Sequence, residues 1–164
     1  MTKKLVHQNM GLQKPRKKSR YKTGVHISPK CVRPIEYRSG WELLVAEALD
    51  ADPSVVLYAY EAVGVPFVTN PRSGRIRKYF PDFFVQYKSG RQLIIEVKRD
   101  DKAQAFIVQT KAKACKEWAA ASGVDYEIWT SKEIQLQRKL LGLSADMKVP
   151  RQNAWKAKKK KKSA

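Results

Sequence analysis

The sequence predicts an α/β domain with a central mixed sheet of four or five strands and helices packed on its faces. Short runs rich in aromatic and β-branched residues, which favour strands, alternate along the chain with longer segments of helical period. Two of these runs flank Lys88-Ser89-Gly90 and predict a β-hairpin. The resulting order is helix, strand, hairpin, helix, strand, helix, and such an order is typical of an α/β fold.

The first helix is predicted to begin at Ser39, because a serine followed three residues later by Glu42 matches a capping box. That cap is a complete structural explanation for the glutamate. The helix ends at Asp50-Ala51-Asp52-Pro53. The remaining elements are strands at residues 55–61 and 64–68, a turn at 70–74, the hairpin at 79–99, a helix at 102–122, a strand at 126–129, and a helix from Ser131 to about Leu141.

The loop of the hairpin decides which side chains share a face. A two-residue turn places Asp82 opposite Val97 and sends its carboxylate to the other side of the sheet from Glu96. A three-residue loop at residues 88–90, with Gly90 in the left-handed conformation, places Asp82 directly opposite Glu96. Because side chains alternate along a strand, the other face is then apolar and faces the core. It carries Phe83, Val85, Leu93, Ile95 and Val97.

In the three-residue register Glu96 and Lys98 share the face of Asp82, and two opposed carboxylates repel each other unless a positive charge lies between them. A divalent cation beside Lys98 meets that need, and hard cations such as Mg²⁺ bind carboxylates, water and phosphate. This arrangement suits hydrolysis of a phosphodiester, with Lys98 orienting the attacking water or stabilising the developing charge. Taken singly, an Asp after Pro81 is often a turn former, and Glu-x-Lys is common by chance. Their combination in an otherwise apolar strand favours catalysis.

Pro81-Asp82 followed by Glu96-Val97-Lys98 matches the PD-(D/E)xK nuclease motif. The chain from about residue 37 to 134 resembles the catalytic domain of TnsA-type endonucleases, a group that includes a heteromeric transposase subunit and the head-completion nucleases of large tailed phages. The resemblance implies a restriction-endonuclease-like core. Glu42 occupies the place of the family's glutamate on the first helix, which adds a role at the site to its role as a cap. The transposase subunit typically carries glutamine at this position. The glutamate of this chain, Glu96, is closer to the wider superfamily and to the phage branch.

The motif and the resemblance together predict a Mg²⁺ or Mn²⁺ site. The metal ligands would be Asp82, Glu96 and the carbonyl of Val97, with Glu42 as an accessory carboxylate. Lys98 would be the catalytic lysine. Cys31 and Cys115 belong to no CxxC or Cys/His cluster, so neither a zinc site nor a disulfide framework is indicated.

The formal charge of +19 is concentrated at the two ends of the chain. Residues 1–38 hold eleven Lys or Arg side chains and one acid, and residues 151–164 hold seven and no acid. A near-neutral body with a basic arm at each end indicates a polyanionic partner, most simply DNA. A lysine run alone would equally suit a solubilising tail. We therefore predict disordered basic arms at residues 1–36 and 144–164 around a nuclease domain at 37–143.

Candidate DNA-binding residues lie in the arms, in a basic cluster before Asp82 and on the second helix. A solvated edge strand explains the basic cluster equally well, and lysines on a helix usually face water. The candidates are Arg16, Lys17, Lys18, Arg20, Arg75, Arg77, Lys78, Lys111, Lys158, Lys159 and Lys160.

These features predict a metal-dependent DNA endonuclease, and the resemblance implies a role in phage head completion or DNA maturation, with phage head or other assembly proteins as partners. The enzymatic alternatives are a Holliday-junction resolvase acting as a homodimer and a transposase endonuclease subunit. The alternative of another class is a non-catalytic DNA-binding or particle-assembly protein. The chain lacks a bilayer-length apolar run and the apolar core of a signal peptide. We therefore expect no membrane contact and a cytoplasmic location, in the host cell or virion-associated if the protein is phage-encoded.

Overall fold

The computed structural model describes residues 23–144 of the chain. The predicted arm residues Arg16, Lys17, Lys18, Arg20, Lys158, Lys159 and Lys160 lie outside this range. The elements are β1 (Gly24–His26), β2 (Ile35–Tyr37), α1 (Gly40–Ala51), β3 (Val55–Tyr60), β4 (Val65–Asn70), β5 (Arg75–Tyr79), β6 (Phe83–Tyr87), β7 (Gln92–Val97), α2 (Phe106–Ala121), β8 (Asp125–Trp129) and α3 (Ser131–Leu140).

Four strands form the central sheet, in the order β3-β6-β7-β8. The first three are antiparallel neighbours, and β8 lies parallel to β7 after the crossover through α2. Two further pairs, β1-β2 and β4-β5, form separate two-stranded sheets. The predicted α/β fold, a mixed four-stranded sheet flanked by helices, is confirmed.

The β6-β7 hairpin adopts the three-residue loop of the two registers considered. Phe83 pairs with Ile95, and the Tyr87 N–H donates to the carbonyl of Arg91 at 2.9 Å. The loop residue Gly90 has a φ of 83°, which is favourable for glycine and costly for a residue with a Cβ. Continued by one residue beyond the Phe83–Ile95 pair, this register sets Asp82 opposite Glu96.

Both faces of the central sheet are covered. The face predicted to be apolar packs against α1, β2 and α3, with Phe83, Ile95 and Val97 in one core that also includes Ile35 and Ile134. The opposite face packs against α2 and the β4-β5 hairpin through a second core. Its members are Val65, Phe67, Tyr79, Ile94, Cys115, Ala119 and Val124. Glu96, the charged residue of β7, therefore lies under a covering layer, at the edge of this second core.

The folded body begins earlier than the predicted boundary at residue 37. Strands β1 and β2 pair within the segment predicted as arm, and Ile35 is fully buried. A polar contact fixes β1 to the end of α1, since His26 Nε2 lies 2.7 Å from Asp50 Oδ2. The same carboxylate accepts a hydrogen bond of 2.9 Å from the hydroxyl of Tyr58 in β3. The basic composition of the segment concealed these contacts, because short runs of apolar residues between cations give no periodic signal.

The helix ends also differ in detail from the predictions. Helix α2 begins at Phe106 and not at residue 102, because residues 101–104 form turns. Helix α3 is capped by Thr130, one residue before the predicted Ser131, and Glu133 completes the capping box. Among residues 23–144, none of the helices has the length and apolar content that a bilayer crossing requires.

Candidate active site

Two carboxylates and a lysine meet where the open end of the β6-β7 hairpin leaves the central sheet. Asp82 immediately precedes β6, and its Oδ2 accepts a hydrogen bond of 2.7 Å from the Val97 N–H. Glu96 lies in β7 with 5% of its surface exposed. Lys98 follows β7, and its main-chain N–H donates to the Trp129 carbonyl at 3.0 Å. The structure thus brings Asp82, Glu96 and Lys98 together as the three-residue loop predicts.

A cavity of about 510 Å³ opens over these three side chains. Its walls mix acids with cations, as suits a site that holds both a metal ion and an anionic substrate. The acids are Glu42, Glu61, Asp82 and Glu96, the cations are Arg38, Arg77, Lys78, Lys98 and Lys111, and Phe67, Tyr79 and Phe80 complete the lining.

Asp82 is the acid whose charge is most disfavoured. Burial, followed by the nearby charge of Glu96, raises its pKa to about 7. The Lys98 ammonium and the Val97 N–H oppose this shift without cancelling it. In the metal-free protein the two opposed carboxylates therefore carry more negative charge than their surroundings compensate.

Lys98 supplies a positive charge beside both acids. Its Nζ forms an ion pair with Glu96 Oε1 and donates to the carbonyl of Val97 at 3.2 Å. Burial lowers the pKa of Lys98, but the charges of Glu96 and Asp82 outweigh burial and hold the pKa above its usual range. The side chain is therefore protonated at neutral pH, in contact with two of the predicted ligands.

Glu42 belongs both to the N-terminal cap of α1 and to the wall of the cavity. Its backbone N–H donates to Ser39 Oγ at 3.2 Å, and its Oε1 accepts from the Ser39 hydroxyl at 2.8 Å. Its Oε2 accepts from the Arg38 N–H at 2.8 Å and from the Tyr60 hydroxyl at 2.6 Å. The carboxylate is 9% exposed and lines the cavity. The predicted cap is present, and the same side chain faces the candidate site.

The donor atoms of Asp82, Glu96 and the Val97 carbonyl fit a hard divalent cation. All are oxygens, which Mg²⁺ and Mn²⁺ prefer. A cation would also relieve the repulsion that raises the pKa of Asp82. Within the part of the chain that the structure describes, no three His, Cys, Asp or Glu side chains are grouped closely enough to hold a metal. The structure therefore does not bring Glu42 into a three-carboxylate cluster with Asp82 and Glu96.

The comparison with protein families matches residues 52–131 to the model described as TnsA-like endonuclease N terminal. The matched segment contains Asp82, Glu96 and Lys98. Residues 52–131 are thus similar to TnsA-like endonucleases, and we call them the TnsA-like segment. The recognition made from the two motifs is confirmed, and Glu42, ten residues before the segment, lies outside the match.

A curated relative is the head completion nuclease of Enterobacteria phage T4. It is 33% identical over 72 residues, which cover 44% of this chain and 47% of the phage protein. The chain therefore matches about half the length of this relative. The likeness supports a nuclease role for the TnsA-like segment.

The predicted DNA-binding cations of the TnsA-like segment divide into two groups. Arg77, Lys78 and Lys111 line the cavity and so lie close to the candidate site. Arg75 pairs with Asn70 near the tip of the β4-β5 hairpin, and it is exposed outside the cavity lining. The basic cluster is therefore split between the cavity and the outer end of the hairpin.

Sequence reasoning missed Arg38 and Glu61. They form an ion pair at the cavity wall, and the Glu61 N–H donates to the carbonyl of Asp82 at 3.0 Å. Glu61 has a φ of 47°, an unfavourable value for a residue with a Cβ. Such backbone strain is retained where the surrounding structure requires it, often at functional sites. Neither the strain nor the ion pair leaves a sequence pattern that could have revealed it.

Sequence reasoning also missed Tyr79 and Phe67. Both are buried residues of the β4-β5 hairpin, and both line the cavity. In the sequence they are ordinary strand residues, and the alternation of β5 is hidden by its exposed basic residues. Their position became evident only with the packing of the hairpin on α2.

Proposed function

We propose that the protein is a Mg²⁺- or Mn²⁺-dependent endonuclease that hydrolyses phosphodiester bonds of DNA. The observation that carries this proposal is the meeting of Asp82, Glu96 and Lys98 at one cavity, with the pKa of Asp82 raised by burial and by the charge of Glu96. Paired acids with a half-buried lysine are costly to fold, and a structural role gives no reason to keep them together. The likeness of the segment to TnsA-like endonucleases supports the same conclusion.

Asp82, Glu96 and the Val97 carbonyl would hold the metal, and Glu42 would act as an accessory carboxylate through water. When bound, the metal would polarise the phosphate and acidify a water molecule. The three hydrogen bonds to the carboxylate of Glu42 fix it at the cavity wall. Lys98 then places a positive charge where negative charge develops on the phosphate oxygens, or orients the attacking water.

The proposed substrate is DNA because cations line the cavity beside the acids and the two ends of the chain are basic. Lys111, Arg77 and Lys78 line the cavity, and the sequence carries further cations near both of its ends. The likeness to the phage T4 protein and the presence of Glu96 favour a role in phage head completion or DNA maturation over that of a transposase subunit. Phage head or other assembly proteins are proposed partners, and the host cytoplasm or the virion is the proposed location.

Purified protein should nick or cut supercoiled DNA with Mg²⁺ or Mn²⁺, and should fail to do so with Ca²⁺ or EDTA. Calcium is larger and less demanding in geometry, so it should occupy the site and support binding without turnover. The assay compares supercoiled, linear, single-stranded and branched DNA under each metal condition. It therefore tests the activity and the substrate class together.

A Lys98→Ala preparation purified in the same way controls for contaminating nucleases. Undiminished cleavage in excess EDTA would remove the metal mechanism. Cleavage confined to branched DNA would favour the resolvase alternative and a homodimer. Tight binding without cleavage under any metal condition would favour the non-catalytic DNA-binding or assembly protein.

Deleting residues 151–164 should weaken DNA binding strongly at low salt and little at high salt. The deletion removes seven cations, and each phosphate neutralised contributes about −0.9 to the slope of log affinity against log salt. The slope should become shallower by up to about six units if all seven contact the same duplex. Affinity measured at five salt concentrations, with single-turnover cleavage alongside, checks this.

The control for the deletion replaces Arg151, Lys156 and Lys158–Lys162 by glutamine, which keeps the length and removes all seven charges. The same experiment applies to the first arm, residues 1–22. Unchanged slopes for both arms would mean that they contact something other than DNA, such as an acidic protein surface in a larger assembly.

A further inference from the structure

Tyr79 connects the β4-β5 hairpin to the candidate metal site. The side chain is 6% exposed, and its hydroxyl donates to Glu96 Oε2 at 3.1 Å. Its ring meets the Phe67 ring edge-on, with centroids 6.2 Å apart and an interplanar angle of 85°. The position of the Tyr79 ring is therefore fixed from both ends, by a candidate ligand and by a second aromatic residue.

These two rings hold the side chain of Lys111, which projects from α2. Its Nζ lies 5.3 Å from the centroid of the Tyr79 ring and 5.6 Å from that of Phe67. A cation over an aromatic face is attracted by the ring, and the contact leaves the ammonium able to donate hydrogen bonds. Lys111 thus has a fixed location in the cavity wall without having its charge neutralised.

The absence of an acid partner separates Lys111 from two other cations of the cavity. Lys98 is paired with Glu96, and Arg38 is paired with Glu61. Lys111 forms no ion pair with any carboxylate among residues 23–144. A positioned and uncompensated ammonium beside buried acids is suited to receive an anion from solution.

We propose that Lys111 binds a backbone phosphate of the DNA strand in this cavity, and that Phe67 and Tyr79 are the residues that position it. This inference rests on the proposed function. Because the hydroxyl of Tyr79 contacts Glu96 and its ring contacts Lys111, one side chain sets the distance between the phosphate-binding group and the candidate metal ligand. The β4-β5 hairpin thereby places the strand relative to the residues that cut it.

Lys111→Gln should weaken binding of a short duplex by about tenfold, which corresponds to the loss of one charged hydrogen bond. It should also make the salt slope shallower by about 0.9, as expected for one phosphate contact. The matched control is Lys113→Gln, which removes the same charge from an exposed position on the same helix outside the cavity lining. Affinity is measured with full-length protein in EDTA. In cleavage, Lys111→Gln should raise the DNA concentration for half-maximal rate more than it lowers the rate at saturation.

The role of the rings is tested by Phe67→Leu, made in the wild-type protein and in the Lys111→Gln protein. If the ring acts through Lys111, the substitution weakens binding in the first background and adds little in the second. A general packing defect would weaken binding equally in both. Tyr79→Phe keeps the ring and removes the hydroxyl, so it should preserve DNA affinity and weaken Mn²⁺ binding. Electron paramagnetic resonance of the Mn²⁺ ion measures the second effect.

Equal affinities and slopes for Lys111→Gln and Lys113→Gln would overturn the assignment of Lys111. Equal effects of Phe67→Leu in the two backgrounds would overturn the positioning role. Because binding is measured in EDTA, these outcomes do not depend on cleavage. A protein that fails to cut any DNA, yet loses affinity specifically with Lys111→Gln, would refute the proposed nuclease and leave the phosphate site standing.

Discussion

Lys98→Ala is expected to lower the rate of DNA cleavage by about 10²- to 10³-fold, the usual effect of removing one positioned electrostatic group from an active site. The Lys98 Nζ contacts Glu96 and the Val97 carbonyl, so its charge lies beside the proposed metal ligands. The arms and the cavity cations remain, and DNA affinity should change little. Single-turnover cleavage at saturating DNA measures the loss without a contribution from binding.

The control for this variant is Lys102→Ala, four residues along the chain and outside the cavity lining. Its side chain is well exposed and makes one weak ion pair, 3.9 Å from Asp101. The control should cleave at the wild-type rate. If Lys98→Ala also nicks plasmid at that rate, the assigned site is wrong.

Asp82→Asn is expected to lower the rate of DNA cleavage by a similar factor, because the amide cannot supply the negative charge of a carboxylate ligand to the metal. It should also stabilise the metal-free protein at pH 8. The carboxylate of Asp82 is disfavoured by burial and by Glu96. Removing its charge therefore removes a repulsion that opposes folding, worth on the order of a few kcal/mol at most.

The stabilisation should depend on pH in one direction. The ordinary pKa of an aspartate is about 3.9, and that of Asp82 in the folded protein is raised to about 7. Between these values the folded protein holds a proton that the unfolded chain has released, so the free energy of unfolding falls as pH rises from about 4 to about 7. Asparagine does not titrate, so the variant should lack this part of the fall.

Thermal melts in EDTA at several pH values test the prediction. The variant should melt above the wild type at pH 8, and the difference should vanish below about pH 4, where Asp82 is protonated in both states. A Glu117→Gln variant, which alters an exposed acid of α2 outside the cavity lining, controls for a general change of charge. A large drop in Tm for Asp82→Asn at pH 8 would indicate a structural role for the carboxylate.

The central part of the site was predictable because its geometry is local. Once Gly90 ends a three-residue loop, the alternation of strand side chains places Asp82 opposite Glu96. The capping box of α1 is equally local, since Ser39 and Glu42 are one turn apart. Register and caps depend on a few neighbouring residues, and the sequence displays these directly.

The contacts among the residues of the cavity wall could not be predicted, because they depend on packing between distant elements. Nothing in the residues of β5 indicates that Tyr79 reaches Glu96, or that Lys111 of α2 lies over its ring. The same limit applies to the β1-β2 pair, whose cations suggested an arm although Ile35 is in the core. Periodicity identifies an element and its apolar face, but it does not identify the element that covers that face.

The parallel pairing of β8 with β7 has a consequence for the order in which this molecule folds. The β6-β7 hairpin closes a loop of three residues and can form early, whereas β8 reaches β7 only after α2 has formed between them. Until then the strand that carries Glu96 has an open edge, and the main-chain N–H of Lys98 lacks the carbonyl of Trp129. A growing chain therefore assembles its candidate active site late, after the segment up to residue 129 has left the ribosome.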